Sequence, residues 1–199
     1  CEFCFQLGRS CKKDSKYYKA IRLFKIGLEY NSKNVDAWME LCALYENKSK
    51  YEEVVKTYKK ILEIDPTNLI ALNQLGKTFH TLNYYNQAIF TFKKAIKVDK
   101  YLLSTWENLS DIYLDMRKNR KAIRIIKSVL KFHPSKSIIL NHLGLIYEEL
   151  GFIFSDIKRK EQKYYAKAIK VYQQALKIDP EDYYLWHNLG GAYQKTEEI

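Results

Sequence analysis

Proline occurs three times and glycine seven times in 199 residues. So few turn formers argue against a chain of short strands and tight hairpins and favour helices. No stretch approaches the roughly 18 consecutive apolar residues that cross a bilayer. Charges are spread from Glu2 onward, so no secretory leader is visible. There is no GxxxxGK[ST], no HExxH, no GxSxG and no paired Cys/His zinc spacing. The histidines, at 80, 133, 142 and 187, do not cluster in sequence. These absences predict a protein that is not an enzyme and that uses no cofactor and no metal. Arginine is scarce as well, with 6 of the 34 basic residues. Phosphate and base recognition favour the planar arginine fork, so the net charge of +11 reads first as a lysine-rich solvated surface. Cys1 and Cys4 form a CxxC, but no second pair follows it. The chain begins at Cys, which suggests an internal piece of a longer protein. A lipidated N-terminal cysteine would be followed by a polar tether, and EFCFQL is not one.

With 47% hydrophobic residues the chain can bury a core. One stretch occurs twice, 114 residues apart: LEIDPTNLIALNQLGKTF at 62–79 and LKIDPEDYYLWHNLGGAY at 176–193. Pro66 and Pro134 are 68 residues apart, and so are Trp38 and Trp106. A period of 34 accounts for both, and Pro180 falls one period plus 12 residues after Pro134. The repeats are 1–34, 35–68, 69–102, 103–136 and 137–182, followed by a half repeat, 183–199. In-repeat position 7 is Leu7, Leu41, Leu75, Leu109, Leu143 and Leu189. Position 8 is small throughout: Gly8, Cys42, Gly76, Ser110, Gly144 and Gly190. Position 20 is Ala20, Val54, Ala88, Ala122 and Ala168; position 24 is Phe24, Tyr58, Phe92, Ile126 and Tyr172. The spacing 4, 7, 8, 11 is one helical face, and 20, 24, 27 is another. Each repeat is therefore a pair of amphipathic helices, A and B, with proline at position 32 expected to end helix B. On this register Cys4, Cys11 and Cys42 are packing residues.

The pattern resembles the tetratricopeptide repeat. WHNLGGAY, from Trp186 to Tyr193, matches W-x-x-L-G-x-x-Y, and AIFTF, from Ala88 to Phe92, matches A-x-x-x-F. Ser32 and Lys100 depart from the proline, and Val54 from the alanine. The related pentatricopeptide repeat is typically one residue longer and lacks the proline and the Gly/Ala pair. The resemblance implies an all-α, right-handed superhelical solenoid of antiparallel helix pairs, with A helices lining a concave groove. A-helix positions 2, 5, 6, 9 and 12 would then face the groove. Position 6 reads Gln6, Glu40, Gln74, Asn108, His142 and Asn188. Two readings stay open: a solvated row, or a ladder whose amides pair with the backbone of an extended peptide. The candidate groove residues are these six with Asn73, Lys77, Glu107, Asp111 and Asn141. Acids exceed bases over the A helices, so the groove is acidic to mixed and the outside basic. Family members that clamp acidic chaperone tails use a Lys/Asn/Asn/Lys/Arg set. Of Asn73, Lys77, Asn108, Ile138 and His142, only Asn108 matches it, so a chaperone tail is not expected.

Repeat 5 carries twelve extra residues near 152–163. Apolar spacing persists through Leu143, Tyr147, Leu150 and Phe154. The expectation is two lengthened helices with Ser155 or Asp156 capping the second and Phe152 or Phe154 anchoring the tip. The function expected is a cytoplasmic protein-interaction scaffold that binds a protein or peptide partner. The alternative is a nucleic-acid-binding helical repeat using a basic outer face. Its mark is MRKNRKAIRIIKSVLKFHPSK, with no acid from Met116 to Lys136.

Overall fold

The computed structural model describes residues 1–133 and 135–197. Pro134, one of the repeat prolines, and residues 198–199 lie outside the described residues. Among those described there are eleven α-helices and no strand. They fall into two compact units, divided after Lys100.

The first unit holds α1 (Glu2–Lys13), α2 (Tyr17–Tyr30), α3 (Val35–Glu46), α4 (Tyr51–Ile64), α5 (Leu69–Thr81) and α6 (Tyr85–Val98). Consecutive helices pack on one another throughout. The close contact inside each pair is made by a small residue on helix A and an aromatic ring on helix B. A Cβ added at Gly8 would sit 3.0 Å from the Phe24 ring, and one at Gly76 would sit 2.7 Å from Phe92. Both rings are fully buried, each worth about 1.5–3 kcal/mol of hydrophobic burial. Cys42 holds the same place against Tyr58, and burial pushes its thiol pKa far up, so it behaves as a small apolar residue. Cys11 is buried and Cys4 half-buried. Leu41 and Leu75 are buried, but Leu7 is 37% exposed. Among the described residues no helix packs before α1, so the side that Leu41 and Leu75 turn to a preceding helix is open at Leu7. Phe5, expected in the groove from its position, is instead in the core, stacked on Phe24 and set against Gly27.

The ends of the helices are built by the same positions each time. Asn34 and Asn68 cap α3 and α5, accepting from the Ala37 and Ala71 backbone N–H at 2.9 and 3.0 Å. The indole of Trp38 donates to the Ser32 carbonyl at 2.8 Å, tying the start of α3 to the preceding turn. The proline does not set the end of helix B. Helices α2, α4 and α6 all stop at the same in-repeat position, although only α4 is followed by one. An Asn or Asp follows each, and Asp65 shows its use: it accepts from the Thr67 N–H, the Thr67 hydroxyl and the Asn68 side chain. The Thr67 bonds hold its carboxyl below the usual range.

The second unit holds α7 (Leu103–Asp115), α8 (Asn119–Leu130), α9 (Ser137–Ile153), α10 (Lys158–Leu176) and α11 (Tyr183–Glu197). Its pairing repeats the scheme, with Gly144 under the Tyr172 ring and Asp182 accepting from two N–H groups at the start of α11. Helices α9 and α10 run to 17 and 19 residues, against 13 and 12 in α7 and α8. Ser155 and Asp156 do not cap α10. They fall in the turn, which extends one residue further, and the cap position is Ile157 with no side-chain cap bond. Of the two phenylalanines, Phe154 is the anchor: its ring stacks on Tyr164 at 5.6 Å, and Tyr164 stacks on Tyr147. Phe152 is exposed.

Candidate functional site

In the first unit the polar face of the A helices carries Gln6 on α1, Glu40 on α3, and Asn73, Gln74 and Lys77 on α5. Gln6 and Lys77 are exposed; Glu40, Asn73 and Gln74 are half-buried. Glu40 accepts a short bond from Lys12, and Arg9 lies 3.8 Å from its other oxygen. These two cations are not among the candidate groove residues. They sit at in-repeat positions 9 and 12, so their register was visible, but their reach to the next helix was not. They border a depression of 610 Å³ with Asp36, Met39 and Ala43.

In the second unit α7 supplies Glu107, Asn108 and Asp111, α9 supplies Asn141 and His142, and α11 supplies Asn188. All six are half-buried. His142 Nε2 lies 3.1 Å from Asp111 Oδ1, which joins α7 to α9. The Asn188 amide donates to Asn141 Oδ1 at 2.9 Å, which joins α9 to α11. The Asn108 amide nitrogen is buried without a partner among the described residues. Asn108 is thus not a fully solvated side chain. The helix turns the position part-way under its neighbours, a rotation that spacing alone does not give. Burial raises the Glu107 carboxyl pKa, His142 opposes this, and Asp111 adds to it. A cation arriving between Glu107 and Asp111 reverses that cost.

A second relation links the two helices of a pair. The Tyr58 hydroxyl donates to Glu46 Oε1 at 3.0 Å. The same in-repeat positions in repeat 5 hold Tyr172 and Glu148. There they are close neighbours whose polar atoms miss hydrogen-bond alignment, and burial raises the Glu148 carboxyl pKa. Where position 24 is Phe24 or Phe92, position 12 is Lys12 or His80. In these repeats the acid therefore accompanies the hydroxyl. Among the described residues no group of three or more His, Cys, Asp or Glu is placed to hold a metal ion.

Residues 35–68 and 69–101 each match the family model described as tetratricopeptide repeat, and residues 159–196 match one described as TPR repeat. The chain belongs to the tetratricopeptide repeat family. Its fold class is the all-α helical-repeat superhelix of TPR proteins. MamA matches with a TM-score of 0.67 at 21% identity, covering 89% of this chain and 94% of that one. YrrB, a TPR protein described as having an unusual peptide-binding site, matches with a TM-score of 0.64 at 15% identity, covering 92% and 89%. Among curated relatives, the photosystem I assembly protein Ycf3 of Synechococcus sp. (strain CC9605) is 27% identical over 81 residues. That match covers 40% of this chain and about half, 47%, of the relative.

The TPR helix pairs also shape the opposite side of the first unit. A trough of 560 Å³ lies over α5, lined by Leu62, Leu75, Phe79 and Phe90 with Lys59 and Lys94 at its edge. A second, of 430 Å³, uses the matching positions one repeat earlier, including Leu28, Leu41, Tyr45 and Lys25. No helix among the described residues is long and apolar enough to cross a membrane.

Proposed function

We propose that this TPR protein is a protein-interaction scaffold whose A helices hold an extended segment of a partner. The observation that carries this reading is the α7–α9 cluster. Asn108 has a buried amide nitrogen with no partner among the described residues, and it shares one half-buried stretch of α7 with two carboxylates, Glu107 and Asp111. An amide so placed meets a backbone carbonyl, and the carboxylates beside it select a Lys or Arg side chain. In the first unit Gln74 and Lys77 offer the same kind of backbone and side-chain contact. The strips are carried on packed helices, so little ordering is left for the protein when the ligand arrives. The peptide-binding site described for YrrB supports a peptide as the class of ligand.

The test is charge reversal. A partner recovered with the wild-type protein, identified and purified, is titrated against Glu107→Lys/Asp111→Lys. Affinity falls at least about tenfold if the carboxylates read a basic side chain, since charge-assisted bonds contribute roughly 1.5–3 kcal/mol each. Unchanged affinity contradicts the proposal.

A further inference from the structure

The turn joining α9 to α10 carries apolar side chains that pack on little. Phe152 is 74% exposed, and Ile153 and Ile157 are each 44% exposed. They stand at the end of the longest helix pair in the chain, where α10 exceeds α8 by seven residues, roughly 10 Å of helix. The Phe154–Tyr164–Tyr147 stack pins the turn from beneath, so the exposed side chains are presented on a fixed support.

Cations follow at once. Lys158, Arg159, Lys160 and Lys163 are exposed on the first turns of α10, against the single acid Glu161. The adjacent helix of the same kind, α8, carries Arg120, Lys121, Arg124 and Lys127 and no acid. These charges crowd one another. The Lys167 pKa is depressed by burial and further by Lys163 and Lys127. Of the unit's acids, Glu107, Asp111, Asp115, Glu148 and Glu149 are on the A helices and Asp179, Glu181, Asp182 and Glu197 follow the far end of α10; Asp156 in the turn and Glu161 are the ones beside these cations in sequence, and they leave most of this repulsion in place. A surface of many negative charges relieves it.

An apolar tip ringed by Lys and Arg matches what interfacial attachment to an anionic bilayer requires. The apolar groups enter the headgroup boundary, and the cations meet the headgroups. A nucleic acid would use the cations and could stack one base on Phe152, and it would leave the two isoleucines without a role. Ile153 and Ile157 have no ring on which a base can stack, and they would stay in water. We infer that the α9–α10 turn docks this protein on an anionic lipid surface, with Phe152, Ile153 and Ile157 entering the headgroup boundary and Lys158, Arg159, Lys160 and Lys163 meeting the headgroups. Nothing in this docking requires a helix to span the membrane.

The test is co-sedimentation of the whole chain with vesicles of phosphatidylcholine containing about 30% phosphatidylserine, beside vesicles of phosphatidylcholine alone. The protein sediments with the anionic vesicles only, and added salt weakens the association. Phe152→Ser/Ile157→Ser lowers the bound fraction about tenfold at unchanged salt response, because it removes insertion and keeps the charge. Lys158→Glu/Arg159→Glu/Lys160→Glu lowers it similarly and flattens the salt response. All five side chains are exposed, and a circular dichroism melt shows that each variant keeps its fold. No association with anionic vesicles overturns the inference, as does wild-type association of the Phe152/Ile157 variant. Binding of a single-stranded RNA oligomer without binding to vesicles assigns the basic face to nucleic acid instead.

Discussion

Glycine at in-repeat position 8 has a consequence that can be measured side chain by side chain. A Cβ on Gly144 would lie 2.2 Å from the buried Tyr172 ring, and one on Gly190 would meet nothing within 4 Å. Gly144→Ala therefore costs about 1–3 kcal/mol by overpacking, whereas Gly190→Ala gains up to about 1 kcal/mol from helix propensity. Urea unfolding of the two variants gives opposite signs if helix approach is the reason for the glycine. The sequence made this column legible because both partners recur at fixed positions. Another column was silent. Ser15, Ser49, Asn83 and Arg117 all hold positive φ, between 53° and 59°, at the turn from helix A to helix B. None is glycine, so composition gave no sign of the left-handed backbone. Arg117→Gly relieves that conformation and stabilises by about 0.5–1 kcal/mol, read as a higher urea midpoint at unchanged slope. A lower midpoint refutes the reading of that turn.

At the scale of the element, the helix faces followed from spacing, and the exceptions came from neighbours. Phe5 is core because its ring stacks on Phe24 and sits against Gly27, and Leu7 is exposed where, among the described residues, no helix packs before α1. Glu46 and Glu148 were indistinguishable from groove acids until their contact with Tyr58 and Tyr172 was seen. The α9–α10 pair was legible as two long helices from persistent apolar spacing, but its cap was not, because the turn takes a residue more than Ser155 and Asp156 suggest. The α7–α9 contact makes a pH-dependent prediction. Burial raises the Glu107 carboxyl pKa above its unfolded value, so the native state holds this proton more tightly. Its contribution to stability is complete below the unfolded carboxyl pKa of about 4.3 and is lost as pH rises through the native value. Glu107→Gln removes that dependence. Its stability relative to wild type rises between acid and neutral pH, measured by urea unfolding across that range. A difference that stays constant with pH shows that Glu107 is not the group responsible.

For the whole molecule, the sequence disclosed the family and the repeat and left the partner unnamed, for a physical reason. Helix packing depends on a few residues repeated at fixed spacing. Recognition, in the function proposed, depends on single side chains such as Asn108, Asp111 and His142, whose burial and contacts are set across helices. The most direct test compares the affinity of one purified protein partner for the wild type, for Asn108→Ala and for Arg124→Glu on the exposed face of α8. Asn108→Ala removes an amide whose buried nitrogen has no partner among the described residues, so it leaves folding stability nearly unchanged. It lowers affinity by about 1–3 kcal/mol, because a peptide group of the ligand loses its bond. Arg124→Glu leaves that affinity as it was. The contrary pattern, full affinity in Asn108→Ala and none in Arg124→Glu, would place the partner on the B helices and contradict the account.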